Sequence, residues 1–440
     1  MTETQTGTSP VSGFHPGTRA YRFTILIFVS LLSFGSYFAY DIIGAMAPRL
    51  VEELGASRVT VGSIYTVYSI AAIISVLIGG FLIDRLGTRK ASMIFSILVT
   101  AGAAVVAFAG SLPVLFAGRF LFGGGSEPLF VAQSAILARW FRGKELAFSF
   151  GVALTVSRLG TIFSFNTGEL IASHFGGYRY ALIAAVLFCL VSLAANVVYI
   201  IMDRKGEKAL NLADESGEEK IVLKDIKFFK SRFWFVTFLC LTFYSAIFPF
   251  TALSTDLFVD KWGIARVVAV SGGFFRQVFS NFFHMFSTAG GITSIPIFAS
   301  MIAAPFAGYL VDKFGKRATV MIYGSLILIP SHLLLGISNV YPAYPMITLG
   351  LAFVLVPAAM WPCIPMVVDK KRVGTAFGLM TMIQNFGLAG FPSLNGYLRD
   401  ATQSYTASML MFASLGLFGL VFAILLKRAD AKKGNVLENP

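Results

Sequence analysis

Long apolar runs, separated by short polar stretches, recur along the whole chain. The hydrocarbon core of a bilayer is about 30 Å thick and takes about 20 helical residues, so each run predicts one membrane-spanning helix. The pattern places twelve such helices, at 23–47, 59–83, 91–110, 112–138, 145–172, 179–202, 232–260, 293–311, 318–338, 343–367, 373–398 and 405–426. The chain is therefore predicted to be an all-α, polytopic membrane protein.

A charged stretch at 203–230 divides the twelve helices into two groups of six, and the groups repeat in sequence. GGFLIDRLGTRK at 79–90 matches AGYLVDKFGKRA at 307–318, and FGVALTVSRLG at 150–160 matches FGLMTMIQNFG at 377–387. The two offsets, 228 and 227 residues, agree closely. Parallel repeats of this kind predict two pseudo-symmetric six-helix bundles, with a substrate site between them near the middle of the membrane.

Composition and charge fit this prediction. Hydrophobic residues make up 56% of the chain and charged residues 13%, whereas soluble domains are about 25% charged. The net charge of +13 does not indicate nucleic acid, because the basic residues lie in short runs between apolar segments. With the N-terminus inside, the inside segments hold 26 of the 35 lysines and arginines, and the outside loops hold 7. The positive-inside rule therefore places both termini in the cytoplasm.

The predicted organisation is a cytoplasmic tail at 1–22, a first bundle at 23–202, a cytoplasmic linker at 203–230, a second bundle at 231–426 and a cytoplasmic tail at 427–440. The second bundle carries an extracytoplasmic insertion near 264–292, in which phenylalanines recur at helical spacing. This spacing predicts an amphipathic helix in the outer interface of the membrane. A lid or a partner-docking element is the alternative.

Glu127 and Arg158 are ionisable residues in the middle of apolar runs. A charge at bilayer depth costs about 3 kcal/mol or more unless it is paired or faces water. At a rise of 1.5 Å per residue, Arg158 lies about 20 Å and Glu127 about 17 Å from the cytoplasmic ends of their helices. Opposite charges at similar depth predict a polar site for a molecule that carries both charges. The alternative is a permanent salt bridge that only fixes helix packing.

The second bundle offers uncharged groups to the same site. Asn385 occupies the duplicated position of Arg158, and Gln384 precedes it. Arginine presents a planar fork to a carboxylate, and glutamate accepts hydrogen bonds from an ammonium group. Aromatic residues at plausible lining positions complete the candidate substrate-binding set, namely Tyr37, Tyr40, Tyr68, Tyr244 and Trp361. For each of these aromatic residues, helix packing is the alternative.

With these motifs the chain resembles the major facilitator superfamily along essentially its whole length. Its loop motif lies at 80–90, and a degenerate copy lies at 308–317. A carboxylate at a helix end pairs well with basic residues and with a helix N-terminus. The resemblance implies a latch on the cytoplasmic side, formed by Asp84, Arg85, Arg89, Asp312 and Lys313. Arg119 resembles the superfamily's helix-4 arginine, which is tied to proton coupling, and a carbonyl-bonded structural arginine is the alternative.

A narrower resemblance is to the branch that includes the lysosomal dipeptide uniporters. The matching strings include FGSYFAYD at 34–41, GRFLFGGGSE at 118–127 and GTAFGLMTMIQNFGLA at 374–389. The resemblance implies that Glu127 and Arg158 hold the amino and carboxylate ends of a dipeptide. The first 22 residues contain no dileucine signal, and the chain has no Asn-x-Ser/Thr sequon. We therefore expect a bacterial cytoplasmic membrane, with the lysosomal membrane as the alternative.

The sequence does not indicate an enzyme. It has no nucleotide-binding loop and no metal-ligand cluster, its four histidines are scattered, and its three cysteines lie in apolar segments. We predict a secondary transporter that moves dipeptides by alternating access, without a cofactor and without nucleic acid. Its partners are a small-molecule substrate and the lipid bilayer, and proton coupling stays open. The alternatives are a proton-coupled carrier of small organic anions and a substrate sensor on a transporter scaffold.

Overall fold

The computed structural model describes residues 15–141, 145–210, 223–268, 272–369 and 372–439. Helices and short connections account for these ranges, and no β-strand occurs in them. Three of the predicted segments extend beyond the described residues. The tail at 1–22 is described only from residue 15, the linker at 203–230 lacks 211–222, and the insertion at 264–292 lacks 269–271.

The helices of the first half are α1 (Arg19–Ala45), α2 (Ala47–Glu53), α3 (Arg58–Ala107), α4 (Leu112–Phe141), α5 (Leu146–Phe175) and α6 (Tyr178–Leu210). Those of the second half are α7 (Ser231–Trp262), α8 (Phe274–Phe283), α9 (Ala289–Phe314), α10 (Arg317–Ile337), α11 (Ala343–Val367), α12 (Val373–Thr402) and α13 (Thr406–Ala431). Two 3-10 turns, Leu223–Phe228 and Met285–Ser287, precede α7 and α9. Each of the twelve predicted spans coincides with one of these helices, with two spans in α3, and the predicted all-α fold is confirmed.

The glycine of the duplicated loop motif adopts a left-handed backbone in both halves. Gly87 interrupts α3 with φ 76° and ψ 160°, and Gly315, 228 residues later, ends α9 with φ 65°. A side chain at such a φ is strained, whereas glycine adopts it freely. The sequence repeat is therefore also a repeat of backbone conformation at the bend between two spans.

Two of the membrane-length helices are less apolar than the others. Within the described ranges, ten stretches are long and apolar enough to cross a membrane, and α4 and α12 are not among them. Each of these two helices nevertheless has 30 residues, which corresponds to about 45 Å. Helix α4 carries Glu127, and α12 carries Gln384 and Asn385. Polar residues within a spanning helix normally face the interior of a bundle, so α4 and α12 are the helices most suited to line a polar site.

The two halves pack mainly within themselves. In the first half α1 contacts α5 and α6, and α3 contacts α4. In the second half α7 contacts α12 and α13, and α10 contacts α11 and α13. Across the halves the main contacts are α3 with α12 and α5 with α9. We call the side with the start of α1 and the end of α13 the termini face, and the opposite side the far face.

Helix α8 lies against the far-face end of α5. The Phe274 ring is 5.2 Å from the ring of His174 and 5.8 Å from that of Phe175, while the Phe282 ring is 5.1 Å from that of Phe163. The helix therefore runs antiparallel to the end of α5. Its role at the membrane interface stays a prediction, although four phenylalanines remain exposed, namely Phe275, Phe279, Phe283 and Phe286.

The last described residues fold back onto the start of α10. The Glu438 carboxylate accepts hydrogen bonds from the Thr319 amide at 3.0 Å and from the Thr319 hydroxyl at 2.6 Å. The Lys316 amide donates to the Glu438 carbonyl at 3.1 Å, and the Arg317 amide donates to the Leu437 carbonyl at 2.8 Å. Because an α-helix leaves its first amides without internal partners, the tail supplies the missing acceptors.

Replacing Glu438 with alanine should lower the stability of the protein by about 1 kcal/mol, the usual effect of losing a helix N-cap. Substrate uptake should not change, because the contact lies at the surface of one half. The melting temperature of the purified protein in detergent measures the effect, with the exposed Lys433→Ala variant as control. Equal melting temperatures for the two variants would show that the Glu438 carboxylate contributes nothing to the stability of α10.

Candidate functional site

Glu127 is held by hydroxyl groups. The Tyr68 hydroxyl, from α3, donates to Glu127 Oε1 at 2.9 Å and also lies 3.2 Å from Ser126 Oγ. Ser126 Oγ is in turn 2.5 Å from Ser36 Oγ of α1. These contacts bring α1, α3 and α4 together around one carboxylate. Glu127 therefore has a fixed orientation and keeps capacity for further hydrogen bonds, since a carboxylate has about four acceptor positions.

Arg119 lies on the same helix as Glu127, about two turns before it, and makes no ion pair with any residue in the described ranges. Its guanidinium donates to the carbonyls of Ala39 at 3.0 Å and Tyr40 at 2.9 Å. Its Cζ also lies 5.2 Å from the ring centroid of Tyr40 and 5.4 Å from that of Tyr68, and the side chain is 1% exposed. These contacts fit the carbonyl-bonded structural arginine, and the role of Arg119 in proton coupling stays a prediction.

Arg158 has an aromatic partner in the opposite half. Its Cζ lies 4.9 Å from the ring centroid of Phe353, which belongs to α11. Arg158 makes no hydrogen bond or ion pair with any described residue, and its Nε is buried without an acceptor. Glu127 and Arg158 are thus not joined in a salt bridge in this state. The guanidinium keeps its N–H groups available for a carboxylate.

Asp41 is a second buried acid near Arg158. The carboxylate is 6% exposed and accepts a hydrogen bond from the Thr161 hydroxyl at 2.6 Å. Thr161 follows Arg158 by three residues on α5, so both lie on one helix face. Asp41 lies within electrostatic range of Arg158 and Arg119. With Glu127, the site then contains two acidic and two basic groups, which balance in formal charge.

The predicted tyrosines lie near Glu127 and Arg158 and come from both halves of the protein. The Tyr37 hydroxyl lies within range of the charges of Glu127 and Arg158. Tyr244 of α7 accepts a hydrogen bond from the indole N–H of Trp361 at 2.9 Å, and it lies within range of Arg158. Tyr40 packs edge-to-face on Tyr68 with ring centroids 4.7 Å apart. All five predicted aromatic residues therefore either lie near Glu127 or Arg158 or contact a residue that does.

The amides from α12 have spare hydrogen-bonding capacity. Asn385 Nδ2 donates to the Thr381 carbonyl at 3.0 Å, whereas its Oδ1 is buried and has no donor among the residues described. Gln384 Oε1 accepts only a long contact from Cys240 Sγ, at 3.5 Å. A buried amide oxygen without a donor is unfavourable by about 1–3 kcal/mol. These groups are suited to a polar ligand that brings its own donors.

Hydrogen bonds close the far face between the halves. Arg58, at the start of α3, pairs with Asp256 of α7 at 2.6 Å, and the Val59 amide donates to Asp400 of α12 at 3.0 Å. Further along the same helices, Ser63 Oγ lies 3.1 Å from Ser393 Oγ. The Asp400 carboxylate thus caps a helix of the opposite half, where the helix dipole favours a negative charge.

A second charge cluster joins the halves at the far-face ends of α2 and α5. Arg49 pairs with Glu169 at 2.5 Å, and Arg266, which follows α7, pairs with Glu52 through a bidentate contact. The hydrogen bond from Arg266 lowers the pKa of Glu52 below its usual range. Because a carboxylate with a lowered pKa loses its pairing only as the pH falls through that lower value, this contact persists under mildly acidic conditions.

The loop-motif residues pair within their own halves at the termini face. Arg89 forms ion pairs with Asp203 and Glu207 of α6, and Arg317 pairs with Asp312 at 3.2 Å. Asp84 makes no hydrogen bond or ion pair to a residue of the described ranges. A Cβ placed on Gly80 or Gly308 would meet nothing within 4 Å, and Lys313 Nζ lies 6.0 Å from the ring centroid of Tyr309 and 5.4 Å from that of Phe314. The predicted latch stays a prediction, for the opposite conformational state.

Taken over the described ranges, the hydrogen bonds and ion pairs between the halves lie on the far-face side of the molecule. The structure is therefore closed at the far face. Sequence reasoning did not single out Arg58, Asp256, Asp400 or Phe353. The three charged residues lie near helix ends, where charges are common, and a phenylalanine carries no signal in a chain with 44 of them.

Comparison with known proteins adds evidence from the whole chain. The family model described as Major Facilitator Superfamily matches residues 29–287 and 268–439. The protein named Lysosomal dipeptide transporter MFSD1 from Danio rerio is 31% identical over 435 residues, which cover 95% of this chain and 89% of that protein. The same-named protein from Homo sapiens is 31% identical over 430 residues, with 94% and 88% covered. A Hexuronate transporter from Bacillus subtilis is 23% identical and covers 95% and 98%.

Solved structures of other proteins have a fold similar to that of this chain. A mutant of the peptide transporter POT superposes with a TM-score of 0.72 at 14% identity, covering 94% of this chain and 95% of that chain. A bacterial homolog of the human lysosomal transporter Spinster, in an inward-facing and occupied conformation, gives a TM-score of 0.71 at 14% identity, covering 94% and 99%. At these identities the likeness supports the fold alone.

Proposed function

The chain belongs to the Major Facilitator Superfamily, and we propose that this multi-pass membrane transporter moves dipeptides, with Glu127 holding the amino end of the ligand and Arg158 the carboxylate end. One observation carries the proposal. Glu127 and Arg158 both lie within electrostatic range of Tyr37, and each contacts a different neutral partner, Tyr68 for Glu127 and Phe353 for Arg158. Each charge is thus available to a ligand that carries both.

The charge balance favours a zwitterion over an anion. Glu127 and Asp41 are matched by Arg119 and Arg158, so a ligand with no net charge leaves the site neutral. An organic anion would add an uncompensated negative charge beside Glu127, and an unpaired buried charge is unfavourable. The names of the relatives at 31% identity, which refer to dipeptide transport, agree with this argument.

The second half supplies groups that suit the peptide bond and side chains of a dipeptide. Asn385 and Gln384 offer amide oxygens without strong donors. Trp361 and Tyr244 offer flat surfaces with a polar edge, which tolerate varied side chains. A ligand seated between Glu127 and these residues would contact both halves, as alternating access requires.

We further propose that the termini lie in the cytoplasm, and that the far face is then the outer side of a bacterial cytoplasmic membrane. The closed far face corresponds in that orientation to a state open to the cytoplasm. The latch at Asp84 and Asp312 would form in the opposite state, because the two halves must approach each other at the termini face when the far face opens. Arg85, Arg89 and Lys313 would then supply its basic groups.

Flux through proteoliposomes tests this function. Vesicles that contain the purified protein and unlabelled alanyl-alanine should accumulate radiolabelled alanyl-alanine by counterflow, and protein-free vesicles should not. Binding of alanyl-alanine without counterflow would identify a sensor on a transporter scaffold. Counterflow of small monocarboxylates, without counterflow of the dipeptide, would identify an organic-anion carrier. Net uptake of radiolabelled alanyl-alanine into substrate-free vesicles under an imposed pH gradient, with and without a protonophore, separates uniport from proton coupling.

A further inference from the structure

We infer that Phe353 is a positioning residue for Arg158, and that it orients the guanidinium for a substrate carboxylate from the opposite half of the protein. The inference rests on the proposed role of Arg158 and extends it to a residue that carries no charge and no hydrogen-bonding group. Phe353 is 2% exposed, and its ring centroid lies 4.9 Å from Arg158 Cζ.

The contact matters because Arg158 has so few others. Most buried arginines are fixed by carboxylates or carbonyls, as Arg119 is fixed by Ala39 and Tyr40. Arg158 lacks such acceptors in the described part of the chain, and its Nε is buried without a partner. The ring of Phe353 is therefore the contact that defines where the guanidinium rests.

A ring face holds a guanidinium without using its donors. The attraction acts between the cation and the negative face of the ring, whereas a carboxylate binds the N–H groups along the guanidinium edge. Both partners can contact Arg158 at once. The ring therefore lowers the cost of ordering the side chain and leaves its fork available, which is the general advantage of a preorganised site.

The ring itself is held rigidly by its neighbours in the second half. The Phe353 centroid lies 5.7 Å from that of Phe248 and 6.4 Å from that of Tyr244, both in edge-to-face arrangements. Tyr244 is in turn fixed by the Trp361 indole N–H. Since Arg158 belongs to α5 and Phe353 to α11, the contact also makes the position of the cation depend on how the two halves meet.

The test compares alanyl-alanine with its C-terminal amide, which lacks the carboxylate. In the unmodified protein the dipeptide should bind more tightly than the amide. Phe353→Leu should weaken binding of the dipeptide by about three- to thirtyfold, the range expected for a desolvated cation–π contact, and should leave binding of the amide unchanged. Phe353→Tyr, which keeps the ring, should restore the preference for the free carboxylate.

Phe412→Leu is the matched control, because Phe412 is a fully buried phenylalanine of the same half that contacts Phe250 and His332 and has no cation contact within the described ranges. It should retain the preference of the unmodified protein. If Phe353→Leu weakens both ligands equally, or neither, the inference is overturned. Failure of the underlying function is distinguishable, because the unmodified protein itself would then bind dipeptide and amide equally. The ratio of the two affinities is insensitive to a partial loss of folded protein, so a destabilised variant still gives an answer.

Discussion

Uptake of alanyl-alanine into proteoliposomes should fall at least about thirtyfold in each of the variants Glu127→Gln and Arg158→Lys. Truncating one member of a buried, hydrogen-bonded charge pair costs about 2–5 kcal/mol, and here the partner that is lost is the charged end of the substrate. Lysine keeps the charge of Arg158 but loses its planar fork, so it cannot bind a carboxylate through two parallel hydrogen bonds.

Both variants should remain monodisperse, because the two side chains contact Tyr68 and Phe353 and are not paired with each other. A matched pair of controls is Glu145→Gln and Arg22→Lys, which alter an ion pair at the termini face. Their uptake should stay within about twofold of the unmodified protein, as expected for an exposed pair. Unfolding of both site variants, with normal controls, would instead indicate that Glu127 and Arg158 serve packing.

A disulfide between cysteines placed at Ser63 and Ser393 should stop transport. The two hydroxyl oxygens are 3.1 Å apart across the halves, so cysteine sulfurs at these positions come within reach of a normal disulfide. Locking this contact keeps the far face closed, and alternating access requires it to open. Uptake by the oxidised double variant should fall in proportion to the cross-linked fraction and recover on reduction.

The single variants Ser63→Cys and Ser393→Cys serve as controls for this experiment, and they should transport equally under oxidising and reducing conditions. The native cysteines need not be removed, because Cys189, Cys240 and Cys363 are all buried. Full transport by a completely cross-linked protein would mean that the far face does not open during the cycle. The state described here would then have no part in alternating access.

The fold could be predicted from the sequence because lipid imposes a simple rule. Each span must pair its backbone N–H and C=O groups within its own helix, and about 20 apolar residues are needed to cross the bilayer. Even α4 and α12, which fall below the others in apolar content, were recognised as apolar runs of membrane length. The repeat likewise located Gly87 and Gly315, although their left-handed backbone was not anticipated.

The candidate site was only partly accessible to sequence reasoning. Glu127 and Arg158 stand out because a charge in an apolar run requires an explanation. Tyr68, the partner of Glu127, is among the predicted lining residues, whereas Phe353, the partner of Arg158, is of a common residue type whose importance depends on which helices are neighbours. The far-face contacts of Arg58 with Asp256 and Asp400 are similarly invisible, because they join residues 198 and 342 positions apart in the chain.

Thermal stabilisation by end-blocked dipeptides tests the central claim most directly. The probes are alanyl-alanine, its N-acetyl derivative, its C-terminal amide and a monocarboxylate, each with the unmodified protein, Glu127→Gln and Arg158→Lys. The account predicts that only alanyl-alanine stabilises the unmodified protein strongly. The N-acetyl derivative has no free amine, so it should stabilise Glu127→Gln as much as it stabilises the unmodified protein. The amide has no carboxylate, so it should likewise stabilise Arg158→Lys as much as it stabilises the unmodified protein. Equal stabilisation by all four probes, or stabilisation by the monocarboxylate alone, would contradict a site in which Glu127 and Arg158 hold the two ends of a zwitterion.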